Sequence, residues 1–237
     1  MPEDRSVLTR PAREPARTLA YGAHPDQVID VYEGHHGTAL ILIHGGYWRP
    51  EYDRTHLRPM AVALADAGWT TYVIEYRREP GNPKAMIADV RAAIEASAAD
   101  HDQHGLILIG HSAGGHLALH AAAFEQSVIT AVIALAPVAD LSAAIALDLD
   151  QGAAQSFLGE VPAEEHCPVA QPSPLVPVVI MHGDGDELVP IELSHMYVRT
   201  HPATRLHEIP GGTHFALIDP RSDTWPLLLE IIAASEK

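Results

Sequence analysis

Gly110-His111-Ser112-Ala113-Gly114 is the stretch with the clearest capacity for chemistry. It has the form G-x-S-x-G. The apolar run Leu106-Ile107-Leu108-Ile109 before it suits a buried parallel strand, and Gly115 to Ala123 after it are rich in helix formers. A sharp strand-to-helix turn would expose the Ser112 hydroxyl. Gly110 and Gly114, lacking a Cβ, would let strand and helix approach closely. The helix start would point N–H groups at a developing oxyanion.

A serine is a weak nucleophile at neutral pH. It needs a base for its proton, an acid to hold that base, and donors for the oxyanion. The base is expected in a loop after the last strand, and His214, following Gly211-Gly212-Thr213, fits that place. His207 lies within the strand itself, and His182 is a rival at a strand end. The acid is expected between Ser112 and His214. Asp186 stands past a strand in Met181-His182-Gly183-Asp184-Gly185-Asp186-Glu187. Asp184 and Glu187 share that loop. Asp140 follows the preceding strand and is the alternative, with a second reading as a cap on backbone N–H groups near Leu141 and Ser142. The order Ser112, Asp186, His214 is the serine, acid, histidine order of one class of triad. The oxyanion donors are expected from the N–H of Ala113 and from the Gly45-Gly46-Tyr47 loop, chiefly Gly46 and Tyr47. Tyr47, Trp48, Phe157 and Leu158 are candidate pocket walls.

The elements that must carry these residues alternate. Strands are expected at 18–21, 28–32, 38–43, 69–76, 106–109, 129–136, 176–181 and 206–209. Helices are expected around 57–64, 84–99, 115–123, 191–199 and 225–234. Such alternation implies a mainly parallel sheet with helices on both faces. The first two strands join without a helix, so that edge should be antiparallel. The glycine loop, Ser112, Asp140 and Asp186 all follow strand ends and should converge on one rim. The chain reads as a single domain over 1–237. Residues 1–17 are polar and proline-bearing, expected to be flexible or draped on the surface. Residues 139–172 form a lid-like insertion.

The composition excludes several classes. Asp plus Glu number 31 against 15 Lys plus Arg, for a net charge of −16. That balance repels nucleic acid and anionic membranes, so neither is expected as a partner. The single cysteine, Cys167, permits no internal disulfide. No signal peptide or membrane-spanning run is visible, and a cytoplasmic location is the expectation. Sixteen histidines are present without a recognisable metal spacing. His24, His35, His36, His56, His101 and His104 read as solvated surface residues. No metal or other cofactor is implied.

Four segments together resemble the α/β-hydrolase fold: His44-Gly45-Gly46-Tyr47-Trp48, Gly110 to Gly115, His182-Gly183-x-x-Asp186 and Gly212-x-His214. The His-Gly-Gly-x-Trp loop is similar to that of the kynurenine formamidase (arylformamidase) and carboxylesterase branch. Related lipase-like enzymes usually carry a third glycine, where this chain has Tyr47. The resemblance implies a Ser-Asp-His hydrolase of small molecules, and it does not choose ester over formamide. The leading expectation is a short-chain carboxylic esterase and the alternative an arylformamidase. A non-catalytic binding protein on the same fold is an alternative of another class. A short-peptide hydrolase lacks the large cap it would need.

Overall fold

The computed structural model describes residues 3–101, 105–124 and 128–236. His104 therefore lies outside the described residues. Eight strands form one sheet: β1 (Arg17–Ala20), β2 (Val28–Tyr32), β3 (Ala39–Ile43), β4 (Thr70–Ile74), β5 (Leu106–His111), β6 (Ile129–Leu135), β7 (Val178–Gly183) and β8 (Arg205–Ile209). Their order is β1-β2-β4-β3-β5-β6-β7-β8. The pairings of β1 with β2 and of β2 with β4 are antiparallel, and every other pairing is parallel. The antiparallel edge follows from the short, helix-free connection of the first strands.

The central strands are apolar because both of their faces are covered. In β3, Ala39, Ile41 and Ile43 point to one face, and Leu40 and Leu42 to the other. The first face packs under α2 (Pro83–Asp100), α3 (Ala113–Phe124) and α6 (Glu192–Thr200). The second packs under α1 (Arg58–Asp66) and α7 (Trp225–Ser235). Helix α1 shows the local logic: Leu57, Met60, Ala61 and Leu64 form its buried stripe, and the helix ends before Gly68, whose φ is +114°.

The insertion holds two short helices, α4 (Leu141–Ala146) and α5 (Ala153–Leu158), and two 3-10 turns, Ala163–Glu165 and Pro168–Ala170. Cys167 pins this segment from within. It is buried, and its Sγ accepts from the Leu141 N–H at 3.2 Å.

The N-terminal segment lies against the body of the protein. Its Val7 is 1% exposed and joins the core under α1 and α7. Burying one such side chain is worth roughly 1.5–3 kcal/mol. That offsets the ordering of only one or two backbone residues, at ~1–2 kcal/mol each. The rest of the anchoring is polar. Arg10 donates from both terminal guanidinium nitrogens to Asp219, and Glu3 accepts from the backbone N–H groups of His214 and Phe215. Among the described residues, no helix is long and apolar enough to cross a membrane.

Candidate active site

Ser112 stands between the end of β5 and the start of α3 with φ of +57°, a left-handed conformation that strains a residue with a Cβ. Three backbone hydrogen bonds hold it there. Its N–H donates to Leu135 O at 2.8 Å, and its own carbonyl accepts from His116 N and Val138 N. The flanking glycines are sterically required. A Cβ on Gly110 would fall 2.2 Å from the Gly114 carbonyl oxygen, and one on Gly114 would fall 2.1 Å from the Ile43 oxygen.

Asp186 lies three residues beyond β7, in a loop closed against the glycines that precede His214. Its side chain is fully buried. Oδ1 accepts from the N–H groups of Leu188 and Val189, both at 2.8 Å. Oδ2 accepts from His214 Nδ1 at 2.6 Å, and His182 Nε2 lies 3.4 Å away. Burial pushes the Asp186 pKa up. The hydrogen bonds from His182 and His214 outweigh it, so the carboxyl is held well below its ordinary range. An imidazole that donates from Nδ1 to Asp186 presents Nε2 as the atom able to take a proton, the arrangement a general base requires.

His111, immediately before Ser112, is buried and sets its Nε2 3.1 Å from the backbone oxygen of His214. It thus ties the serine turn to the histidine loop. Burial, then the proximity of His214, hold its pKa well below the usual histidine value. Among the described residues no hydrogen bond joins Ser112 Oγ to His214. The two side chains line one hollow of about 540 Å³, open mouth included.

The glycine loop after β3 has three consecutive left-handed residues: Gly46 at φ +103°, Tyr47 at +49° and Trp48 at +57°. A Cβ on Gly46 would lie 2.4 Å from Tyr52 Cβ. The strain at Tyr47 and Trp48 is offset by their side chains. The Tyr47 hydroxyl donates to Leu188 O at 2.7 Å, joining this loop to the Asp186 loop. Trp48 stacks on Phe157 at 4.6 Å between ring centroids. At the base, His44 stacks on Tyr76 and places its two ring nitrogens 2.8 Å from Gly45 O and from Glu75 Oε1. Glu75 also accepts from the Arg54 N–H and from the Arg78 guanidinium. The charged end of β4 is therefore a buried, paired support for the loop, and Arg77 is likewise paired with Asp89.

The structure brings Ser112, His214, Asp186, Gly46 and Tyr47 together, and Ala113 opens α3 directly after the serine. The rivals stand elsewhere. Asp140 caps α4 by accepting from Ala143 N. His182 is buried behind Asp186, and His207 sits half-buried on the edge strand β8. Asp184 accepts from Gly211 N, and Glu187 faces solvent.

Three of the four residues expected to wall the pocket do not line this hollow. Trp48 and Phe157 spend their faces on each other and border a neighbouring hollow, and Leu158 is core. Tyr47 does line it, and the remaining walls come from Tyr52, His56, Phe215 and the N-terminal Arg5. His56, expected on the surface, is buried there. Burial lowers its pKa to about 3, with the nearby His44 contributing. The insertion contributes Asp150, paired with Arg49 at 2.7 Å. Among the described residues, no group of three His, Cys, Asp or Glu side chains is placed to hold a metal ion.

The sheet order is that of the α/β-hydrolase fold. Esterase B from Lactobacillus rhamnosis, solved with a phosphonate inhibitor, superposes with a TM-score of 0.76 at 21% identity over 94% of this chain and 87% of that one. Thermogutta terrifontis esterase 2 superposes with a TM-score of 0.72 at 22% identity over 92% and 94%. The BD-FAE family model matches residues 29–200, and the chain belongs to that family. Kynurenine formamidases of Meyerozyma guilliermondii and Salmo salar are each 34% identical, over 107 and 119 residues. Those matches cover 44% and 46% of this chain. The chain spans about two fifths of the length of these relatives, 41% and 40%.

Proposed function

We propose that this protein is a serine hydrolase that cleaves short-chain carboxylic esters through an acyl-enzyme. The observation that carries the reading is the 2.6 Å contact of His214 Nδ1 with buried Asp186, in the hollow that Ser112 also lines. Ser112 Oγ attacks the carbonyl carbon and passes its proton to His214 Nε2. The resulting oxyanion is held by the N–H of Ala113 and those of Gly46 and Tyr47. His214 returns the proton to the leaving oxygen, and the ester C–O bond breaks. Water then attacks the acyl group by the same route and restores Ser112.

A second reading, hydrolysis of an aryl formamide such as N-formylkynurenine, is favoured by the two relatives named kynurenine formamidase. The third, a binding protein without turnover, has no specific observation in its favour.

The aromatic rings of Tyr47, Tyr52 and Phe215 suit a flat leaving group. The insertion brings no apolar roof that would enclose a long acyl chain. The expected result is that kcat/KM for p-nitrophenyl esters, measured from acetate to palmitate, peaks at short acyl groups. A maximum at long chains would overturn this. N-formylkynurenine in the same series separates the first two readings. Negligible turnover beside brisk acetate turnover removes the formamidase one.

Gly46→Ala tests the glycine loop. The new Cβ meets Tyr52 at a left-handed position, so the loop must shift and its N–H groups with it. Loss of one oxyanion donor typically lowers kcat by about 10²–10³. We expect a fall of that order in kcat, with the circular dichroism spectrum retained.

A further inference from the structure

We infer that the N-terminal segment completes the site and that Arg5 selects substrates whose leaving group carries a carboxylate. The inference rests on the serine-hydrolase reading above. Residues 3–10 lie outside the stretch that matches the family model, residues 29–200. They are nevertheless built into the site. The Glu3 carboxylate accepts from Phe215 N at 2.9 Å and from His214 N at 3.3 Å, capping the turn that carries His214. Val7 is buried, and Arg10 is locked to Asp219. Arg5 is thereby suspended between two anchors at the mouth of the hollow.

Its guanidinium lies over the Phe215 ring, 5.5 Å from the centroid. It is close enough for its charge to act on the Tyr47 phenol. Among the described residues it has no ion pair. Glu3 is spent on backbone N–H groups, and Asp4 accepts from Ser6 N. Across the mouth, Asp150 is neutralised by Arg49. The mouth thus presents one uncommitted planar cation, on a protein whose net charge of −16 otherwise repels anions.

Geometry assigns the side of the substrate. The leaving group departs where it receives its proton, beside His214. Phe215 and Arg5 stand on that side. A guanidinium matches a carboxylate in a bidentate, planar fashion while the aryl ring of the leaving group lies near Phe215.

The test compares phenyl acetate with carboxyphenyl acetate, using the whole chain. Taking the ratio of their kcat/KM values within each variant cancels any change common to both substrates. In Arg5→Ala, the ratio for the carboxylated substrate is expected to fall about tenfold, chiefly through KM, since partly exposed charge contacts are modest. Arg5→Lys should keep part of the preference, and Arg5→Glu should lower the ratio further. Raising salt from ~0.01 M to ~1 M should erode the wild-type preference as screening shortens from ~30 Å to ~3 Å. A ratio that stays within about twofold of wild type in both Arg5→Ala and Arg5→Glu, well short of the tenfold that 1.4 kcal/mol represents, would overturn the inference. Failure of the underlying reading looks different: Ser112→Ala would then keep its turnover of both acetates.

Discussion

Ser112→Ala is expected to lower kcat on p-nitrophenyl acetate by about 10⁶ and to abolish fluorophosphonate labelling, the typical cost of removing a triad nucleophile. The substitution is clean for a structural reason. Ser112 Oγ makes no hydrogen bond among the described residues, so removing it strands no buried partner. The three bonds that hold the turn belong to the backbone. Alanine pays the same left-handed strain that serine does at φ +57°. Thermal and urea unfolding midpoints should therefore stay close to wild type, as they do for substitutions without a named destabilising mechanism. Any residual rate would come from Gly46, Tyr47 and Ala113 acting on the carbonyl without an attacking serine. Labelling that survives in this variant would place the nucleophile elsewhere.

Asp186→Asn is expected to lower kcat by about 10⁴, the scale seen when a triad acid becomes its amide. The surroundings of Asp186 dictate the outcome. Oδ1 already accepts from the N–H groups of Leu188 and Val189, so the amide oxygen of asparagine must take that place. Its NH₂ is then forced toward His214 Nδ1 and His182 Nε2. His182 is turned by its own partners, Ser194 Oγ and Val189 O, so it cannot easily yield. His214 must then accept on Nδ1 and carry its proton on Nε2. In that tautomer it has no lone pair with which to take the Ser112 proton.

The same substitution changes the acid limb of stability. The carboxyl is held below its unfolded value near 3.9. The folded state therefore binds fewer protons than the unfolded state in acid. Its contribution is full above that pH and is lost as pH falls through the folded value. Urea melts at falling pH should show wild type losing this increment and Asp186→Asn lacking it. Asp140→Asn is the control. Asparagine caps a helix about as well as aspartate, so Ala143 N keeps its acceptor and both activity and stability should change little. A larger loss of activity in Asp140→Asn than in Asp186→Asn would reverse the roles of the two carboxylates.

The amino-acid sequence by itself determined the framework of this protein. The all-apolar runs of β3 and β5, the period of α1 and the helix-free start carry the parallel sheet and its antiparallel edge, because these patterns are local and each reports which faces are covered. The serine turn is equally local. Gly110 and Gly114 sit at the two positions where a Cβ would strike backbone. His214 could be placed for the same reason, behind a pair of glycines after the last strand. Only the tertiary structure decided which carboxylate meets it. Asp140 and Asp186 both follow strand ends, and the difference between them is a 2.6 Å contact against a helix cap.

The walls of the hollow were also beyond the sequence. Trp48 and Phe157 are the right types for a pocket, but their flat faces are satisfied by each other, between segments far apart in the chain. Arg5, in a tail that reads as flexible, and His56, in a stretch that reads as surface, take their place. Residues reach a site like this through long-range packing. Glu3 and Phe215 meet across a sequence separation of 212, and no periodicity or spacing along the chain encodes such a contact. Side-chain type states what a residue can do. The packing of distant segments decides which residues stand close enough to do it.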